Sequence, residues 1–332
     1  MGPKLSQNGT RSVCQTRNVG EYRIAAGEYS ALIVARGAAL REVRHGDRLL
    51  TETWDVPEGE KPPLSAGLVL APWPNRTADG KFTFDGVAHQ LDITETERNN
   101  ANHGFVRTVE WNLHDATERS VTLGVPVGQH PGWPFDITLT VEYALDADGG
   151  LTVTHTAANT GDVRAPFALG QHTFIRAGDA EIDDCTLTLA ADSTLPLDPE
   201  RQLPQGDPVE VAGTDLDFRA ERRLAGVWMD NPFTDLVVTD GRHRSRLTAP
   251  DGDSTELWTD RNFGWAQVFT ADPDHGQAFP GRGRALAVEP MTAPPNALAS
   301  GTDLIVLEPG QQWSGTWGLR TIAAHPVSTP AS

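Results

Sequence analysis

The chain has 332 residues and a formal net charge of −18; an acidic balance of that size argues against nucleic acid and anionic membranes as partners, because both select a positive surface. Hydrophobic residues make up 38% and charged residues 22%, so a large core can form and disorder is not expected. The two cysteines, Cys14 and Cys185, are far apart without CxxC spacing, which gives no ground for a disulfide framework or a cysteine zinc site.

In chain order, Met1–Tyr22 is polar and lacks an apolar run of signal-peptide length. No later run approaches the length of a membrane span, and a cytoplasmic protein is expected. The sequons at Asn8 and Asn75 carry no weight in that setting. Period-2 alternation then dominates. It is clearest in Ile137–Leu145, where apolar side chains take the odd positions, and again in Leu151–Ala157. The turn Asp146-Ala147-Asp148-Gly149-Gly150 between them makes the two a β-hairpin. Shorter strands are expected at Tyr29–Ala35, Val121–Val125, Thr186–Ala190, Leu236–Thr239, Arg244–Thr248, Glu256–Trp258, Ala266–Phe269, Leu286–Glu289, Leu304–Leu307 and Gly315–Leu319. The 32 glycines and 24 prolines supply the turns that so many strands need. Asp217–Leu224 is read as a turn or two of helix. No linker or fixed repeat divides the chain. The expectation is an all-β protein with one antiparallel domain over residues 23–322, made of two packed sheets rather than a closed barrel. A polar segment precedes it at 1–22, and a frayed tail follows at 323–332.

The ten histidines are scattered, with no HExxH and no pair at i, i+2 or i+4, so no metal is expected. No GxGxxG opening a βαβ unit, no P-loop and no Gly-x-Ser-x-Gly is present, and no cofactor is expected. Acid–base chemistry by His, Asp and Glu remains.

Four segments place polar groups where a plain sheet protein has no use for them. Leu70-Ala71-Pro72-Trp73-Pro74-Asn75-Arg76 is an apolar strand broken by two prolines and ending in a cation; by itself Arg76 reads as a solvated loop residue. Asn99-Asn100-Ala101-Asn102-His103-Gly104-Phe105 is an Asn-rich loop, and Asn favours turns for local reasons. In Ala165–Phe174, an extended chain puts Ala168, Gly170 and His172 on one face, and two tiny residues beside a histidine leave a void to be occupied. In Arg284–Ala297, Leu286 and Val288 share one face while Ala285, Ala287 and Glu289 share the other, at the end of a strand stopped by Pro290. A carboxylate there must be paired or face a wet cavity; a structural ion pair and a catalytic role are both open.

Taken together, these pieces resemble the aldose 1-epimerases (galactose mutarotases) from about Tyr29 to Leu319. The order is Ala71-Pro72-Trp73-Pro74-Asn75-Arg76, Asn102-His103-Gly104-Phe105, Gly170-Gln171-His172, Met229-Asp230-Asn231-Pro232-Phe233, and Val288-Glu289-Pro290-Met291-Thr292-Ala293-Pro294-Pro295. The resemblance implies a β-supersandwich with a concave sugar-binding face. It implies His172 as general acid, Glu289 as general base, and Arg76, His103, Asp230 and Asn75 as residues that hold sugar hydroxyls. The implied partner is a small sugar, and the assembly a monomer or homodimer. The chain departs from the family pattern in having His172-Thr173-Phe174 where His-Pro-Tyr-Phe is common. It also has Asp230-Asn231 where Asp-His is common, which leaves Asp235 as a rival to Asp230. Trp73, Trp258 and Trp265 are candidates to stack on the sugar.

Three other readings compete. A non-catalytic sugar-binding module needs no acid–base pair. A glycoside hydrolase or lyase typically uses two acidic groups. A mutarotase for an anionic hexose, phosphorylated or sulfonated at C6, wants a further Arg or Lys beside Arg76.

Overall fold

The computed structural model describes residues 20–55 and 60–324. Cys14, the sequon at Asn8, most of the polar N-terminal segment and the tail from His325 lie outside the described residues. Regular structure is almost all antiparallel strand, as the alternation requires. One sheet has nine strands, in spatial order Asn112–Ala116, Ser120–Pro126, Ile137–Asp146, Gly150–Asn159, Gln312–Ile322, Ser254–Thr259, His243–Thr248, Thr186–Leu189 and Arg222–Arg223. A second sheet orders Val209–Glu210, Ala191–Thr194, Asp230–Leu236, Trp265–Ala271, Ala285–Met291, Gly170–Gln171 and Val69–Leu70, with Phe174–Ile175 also paired to Ala285–Met291. A four-stranded meander, Glu21–Ala26, Tyr29–Val34, Ala39–His45 and Arg48–Leu49, precedes both. This is the packed-sheet β-supersandwich that the sequence pattern and the family resemblance imply.

The long hairpin shows why the pattern folds this way. Asp146 pairs with Gly150 across the turn, so Ile137, Leu139, Val141, Tyr143 and Leu145 all point inward. They join Val153, Leu257, Trp317 and Leu319 of the same sheet, and Phe233, Ala266, Val268, Leu286 and Val288 of the other, in one core. Full burial of each large apolar side chain contributes roughly 1.5–3 kcal/mol. Side chains alternate along a strand, so the second sheet's opposite face carries Gln267 and Phe269 from one strand and Ala285, Ala287 and Glu289 from the next. In register, Gln267 faces Glu289 and Phe269 faces Ala287. The functional residues stand on this face.

Several expectations are corrected. The strand expected at Leu236–Thr239 lies earlier, at Asp230–Leu236, and within it Asp235 adopts a left-handed φ of 53°. Asp217–Leu224 forms turns and the edge strand Arg222–Arg223, with no helix. The small residues flanking Glu289 do not border a void: Ala285 and Ala287 pack under Phe174, Phe269 and Phe279. Likewise Ala168 meets Ala293 and Ala297, and the space beside Gly170 is filled by Pro74 and Met291.

Pro290 does not stop its strand, which runs through it to Met291. Val288 N–H donates to the Thr173 carbonyl and Thr292 N–H to the Leu169 carbonyl. A continuous ladder places the intervening bond between residue 290 and the Gln171 carbonyl. Proline has no hydrogen to give, and the Gln171 carbonyl instead accepts from Thr173 N–H at 2.9 Å. That i→i+2 bond is a γ-turn with His172 at its apex. On its other side His172 is held by the segment leading into Val69–Leu70, with its N–H donating to the Leu68 carbonyl and its carbonyl accepting from Gly67 N–H.

Candidate active site

His172 and Glu289 thus arrive side by side from neighbouring strands, with His172 Nε2 3.4 Å from Glu289 Oε1. Both are buried, at 7% and 2% exposure. The imidazole stacks on Phe174 and meets the edge of Phe269. Above them lies a cavity of about 200 Å³, whose lining includes Asn75, Arg76, His103, His172, Asp230 and Glu289. All six sequence-derived site residues therefore meet at one place. Asp235 lines a separate surface depression with Asp192 and Arg219. Trp73, Trp258 and Trp265 are buried away from the cavity: Trp73 packs on Phe105 and Trp133, Trp258 lies under Arg242, and Trp265 donates to Asp303. Phe269 is the aromatic residue at the cavity wall.

Two neighbouring loops build one wall. Gly104 adopts φ 63°, and a Cβ there would lie 2.0 Å from the Ala71 carbonyl oxygen, so only glycine allows the chains to approach. Phe105 N–H donates to that same oxygen. The approach pairs Arg76–Ala78 with Asn100–Asn102 and brings Asn75 against His103. Asn75 N–H donates to His103 Nδ1 at 3.0 Å, and His103 N–H donates to the Asn75 carbonyl. Burial holds His103 well below the usual imidazole range, and the charges of His172, Arg107 and Arg76 add to this. A neutral ring that accepts at Nδ1 carries its hydrogen on Nε2, which makes Nε2–H its donor.

Arg76 is not a solvated cation. Its guanidinium grips the Glu95 carboxylate with two bonds, Nε at 2.9 Å and Nη2 at 3.0 Å, and Arg98 binds the same carboxylate. Burial works against charge on Glu95, yet the hydrogen bonds and charge of Arg76, with help from Asn100 and Arg98, hold its carboxyl below the usual range.

On the opposite wall, Gln267 Nε2 donates to Asp230 Oδ1 at 2.7 Å, and Asn75 Nδ2 donates to Gln267 Oε1 at 3.4 Å. Burial raises Asp230, with Arg76 and Gln267 pulling the other way. Burial also raises Glu289 well above the carboxylate range; the Asp230 charge raises it further and that of Arg76 lowers it. Burial pulls His172 down to about 3, with Arg107 and Arg76 acting in the same direction. Desolvation thus drives both partners toward their neutral forms.

Gln267, Glu95, Asn102, Arg98 and Arg107 line the cavity but were not singled out from the sequence. Gln267 left a signal: it is the lone polar side chain in Trp265-Ala266-Gln267-Val268-Phe269. Among the described residues there is no helix long and apolar enough to cross a membrane, and no cluster of three or more metal-ligating side chains.

A family model described as Aldose 1-epimerase matches residues 20–320. Over 295 residues the chain is 33% identical to a protein called uncharacterized protein YihR from Escherichia coli K12, spanning 87% of this chain and 89% of that one. It is 33% identical over 162 residues to the galactose mutarotase of Sus scrofa, a stretch that covers 46% of this chain and 45% of that protein. Among solved structures, a GalM/aldose epimerase homologue from C. elegans aligns with a TM-score of 0.80 at 20% identity, covering 92% of this chain and 99% of the other. The galactose 1-epimerase of Lactobacillus acidophilus NCFM gives 0.77 at 19%, with 94% and 98% covered. These two likenesses establish the fold.

Proposed function

The chain belongs to the aldose 1-epimerase family, and we propose that it is a mutarotase, an isomerase that interconverts the α and β anomers of a hexose. The reaction opens a cyclic hemiacetal. A base takes the proton of the anomeric hydroxyl while an acid protonates the ring oxygen; C1 rotates, and the ring closes on its other face. The observation that carries the reading is the 3.4 Å approach of His172 Nε2 to Glu289 Oε1 at the floor of a polar cavity. The two oxygens to be served are both bonded to C1, so two groups this close can reach both.

One proton shared by the pair is the stoichiometry that the reaction needs. Its transfer from Glu289 to His172 gives a carboxylate that acts as base toward the anomeric hydroxyl and an imidazolium that acts as acid toward the ring oxygen. Ring closure returns both protons, so the groups exchange roles in reverse. Nε2–H of His103, the guanidinium of Arg76, and the carboxylate and amides of Asp230, Gln267 and Asn75 offer donors and acceptors to hydroxyls that both anomers share. Glu95 orients Arg76 and leaves its remaining N–H groups for the sugar.

The test is anomer exchange. Freshly dissolved hexoses followed by polarimetry or exchange NMR should equilibrate faster with enzyme than without it. Binding of hexose without any acceleration would favour the non-catalytic sugar-binding module instead.

A further inference from the structure

Beyond Asp230 the cavity wall continues to an exposed aromatic pair. Trp228 is 38% exposed and is the only exposed Trp, Tyr or Phe among the described residues. A lone exposed apolar side chain needs no explanation; Trp228 differs in where it stands and how it is held. Met229 lies in the core and its carbonyl accepts from Thr270 N–H, so the chain is paired here, and alternation sends Trp228 to the side of Asp230. The indole stacks on His275, with ring centroids 4.4 Å apart and planes 18° from parallel. His275 ends the 3-10 turn Pro273–His275, and two residues further on Gln277 lines the cavity. Both halves of the pair therefore adjoin the sugar cavity.

One cation fixes the two halves together. Arg284, largely buried, donates from Nη2 to the Val227 carbonyl at 2.6 Å, next to Trp228, and pairs through Nη1 with Asp272. Asp272 in turn caps the turn that carries His275, accepting from Asp274 N–H at 2.8 Å, and exchanges both backbone bonds with Gln277. The pair is ordered before any ligand arrives, which lowers the entropy that binding costs. With one face on His275, the indole offers its other face to solvent.

We infer that Trp228 and His275 form a second sugar subsite, a platform for a further pyranose ring joined to the hexose in the cavity. The C–H face of a pyranose is apolar and its hydrogens are electropositive, which suits the negative face of an indole. A protein partner is poorly matched: a specific interface needs roughly 800 Å² per side, and the exposed neighbours Ala225, Gly226 and Asp274 supply no large apolar side chain. C1 of the hexose must be free for anomers to exchange, so the ligand is a reducing disaccharide or longer oligosaccharide. The inference rests on the mutarotase reading.

The experiment measures enzyme-catalysed anomer exchange by NMR for glucose and galactose, and for reducing disaccharides that carry a second ring on O3, O4 or O6 of either. At least one disaccharide should exceed its parent monosaccharide in kcat/KM by about 10-fold, mainly through KM, the order expected from covering one ring face; the linkage that gains shows which hydroxyl points toward Trp228. Trp228→Ala should bring that ratio to one or below while retaining a native circular dichroism spectrum, and Trp228→Phe should recover part of it. Saturation-transfer NMR on Glu289→Gln, slowed in turnover, should show contact with protons of both rings, the second lost when Trp228→Ala is added. No advantage for any disaccharide, or an advantage that survives in Trp228→Ala, overturns this inference and leaves the mutarotase reading standing. So does a fall from dimer to monomer in Trp228→Ala by analytical ultracentrifugation, which would make the platform a subunit contact. Failure to accelerate any of the sugars overturns the mutarotase reading itself.

Discussion

The absent amide hydrogen of Pro290 and the Gln171 carbonyl turned toward Thr173 are two sides of one break in the sheet, and His172 stands at its apex. Pro290→Ala supplies the missing donor and allows the ladder to close, which straightens the turn and moves the imidazole. Displacement of a catalytic group by about 1 Å can cost roughly 10²-fold in rate, whereas Pro→Ala changes stability by only about 0.4–1 kcal/mol where strain is absent. The expected variant has kcat reduced about 10- to 100-fold with a small change in Tm. A kcat within twofold of wild type would show that the turn persists without Pro290.

Glu289→Gln and His172→Asn should each lower kcat by about 10²–10⁴-fold, with the fold intact by circular dichroism. The pH profile separates their states. His172, lowered to about 3 by burial, stays neutral until the solution is strongly acidic; Glu289, raised by burial, keeps its proton well past the usual carboxylate range. The one-proton pair is therefore populated between those limits. Below it both groups are protonated and no base remains; above it neither carries a proton and no acid remains. Activity should be level through pH 4.5, where an ordinary glutamate titrates, and fall on the alkaline side as Glu289 ionises. A carboxylic acid band lost in Glu289→Gln in infrared difference spectra at pH 4.5 would mark the proton directly. A wild-type rate that halves near pH 4.5 contradicts this assignment.

Removal of a group that holds shared hydroxyls weakens ground state and transition state together, so KM should rise more than kcat falls. Arg76→Ala and Asp230→Ala should follow that pattern at about 1.5–3 kcal/mol for each lost bond to a charged group, and His103→Ala, which removes a neutral donor, at about 0.5–1.5 kcal/mol. Gln267→Leu should resemble Asp230→Ala, because it removes the donor that orients that carboxylate. Asp235→Ala, outside the cavity, should leave steady-state kinetics close to wild type. Loss of binding in Asp235→Ala but not in Asp230→Ala would reverse the assignment.

Gly104→Ala tests the approach of the two loops. The new methyl meets the Ala71 carbonyl oxygen at 2.0 Å with φ at 63°. Backbone strain and overpacking should together destabilise the protein by at least about 2 kcal/mol. Denaturant unfolding checks the value; a loss under 0.5 kcal/mol means that the loops separate without penalty.

The sequence by itself determined the fold class, because alternation of apolar side chains along one strand is a local property that fixes which face is buried. Ile137–Leu145 and the faces of Leu286 and Glu289 were legible for that reason, and the order of motifs named the six residues that meet in the cavity. Pairing across strands is not local. Gln267 becomes a site residue because its register opposes Glu289. Glu95 matters because it meets Arg76 across the loop. Ala285, Ala287 and Gly170 made room for phenyl rings and Pro74 rather than for a ligand, since close packing fills any space that distant side chains can reach. The break at Pro290 and the desolvation of Glu289 were decided last, by hydrogen bonds and packing that exist only once the strands are assembled.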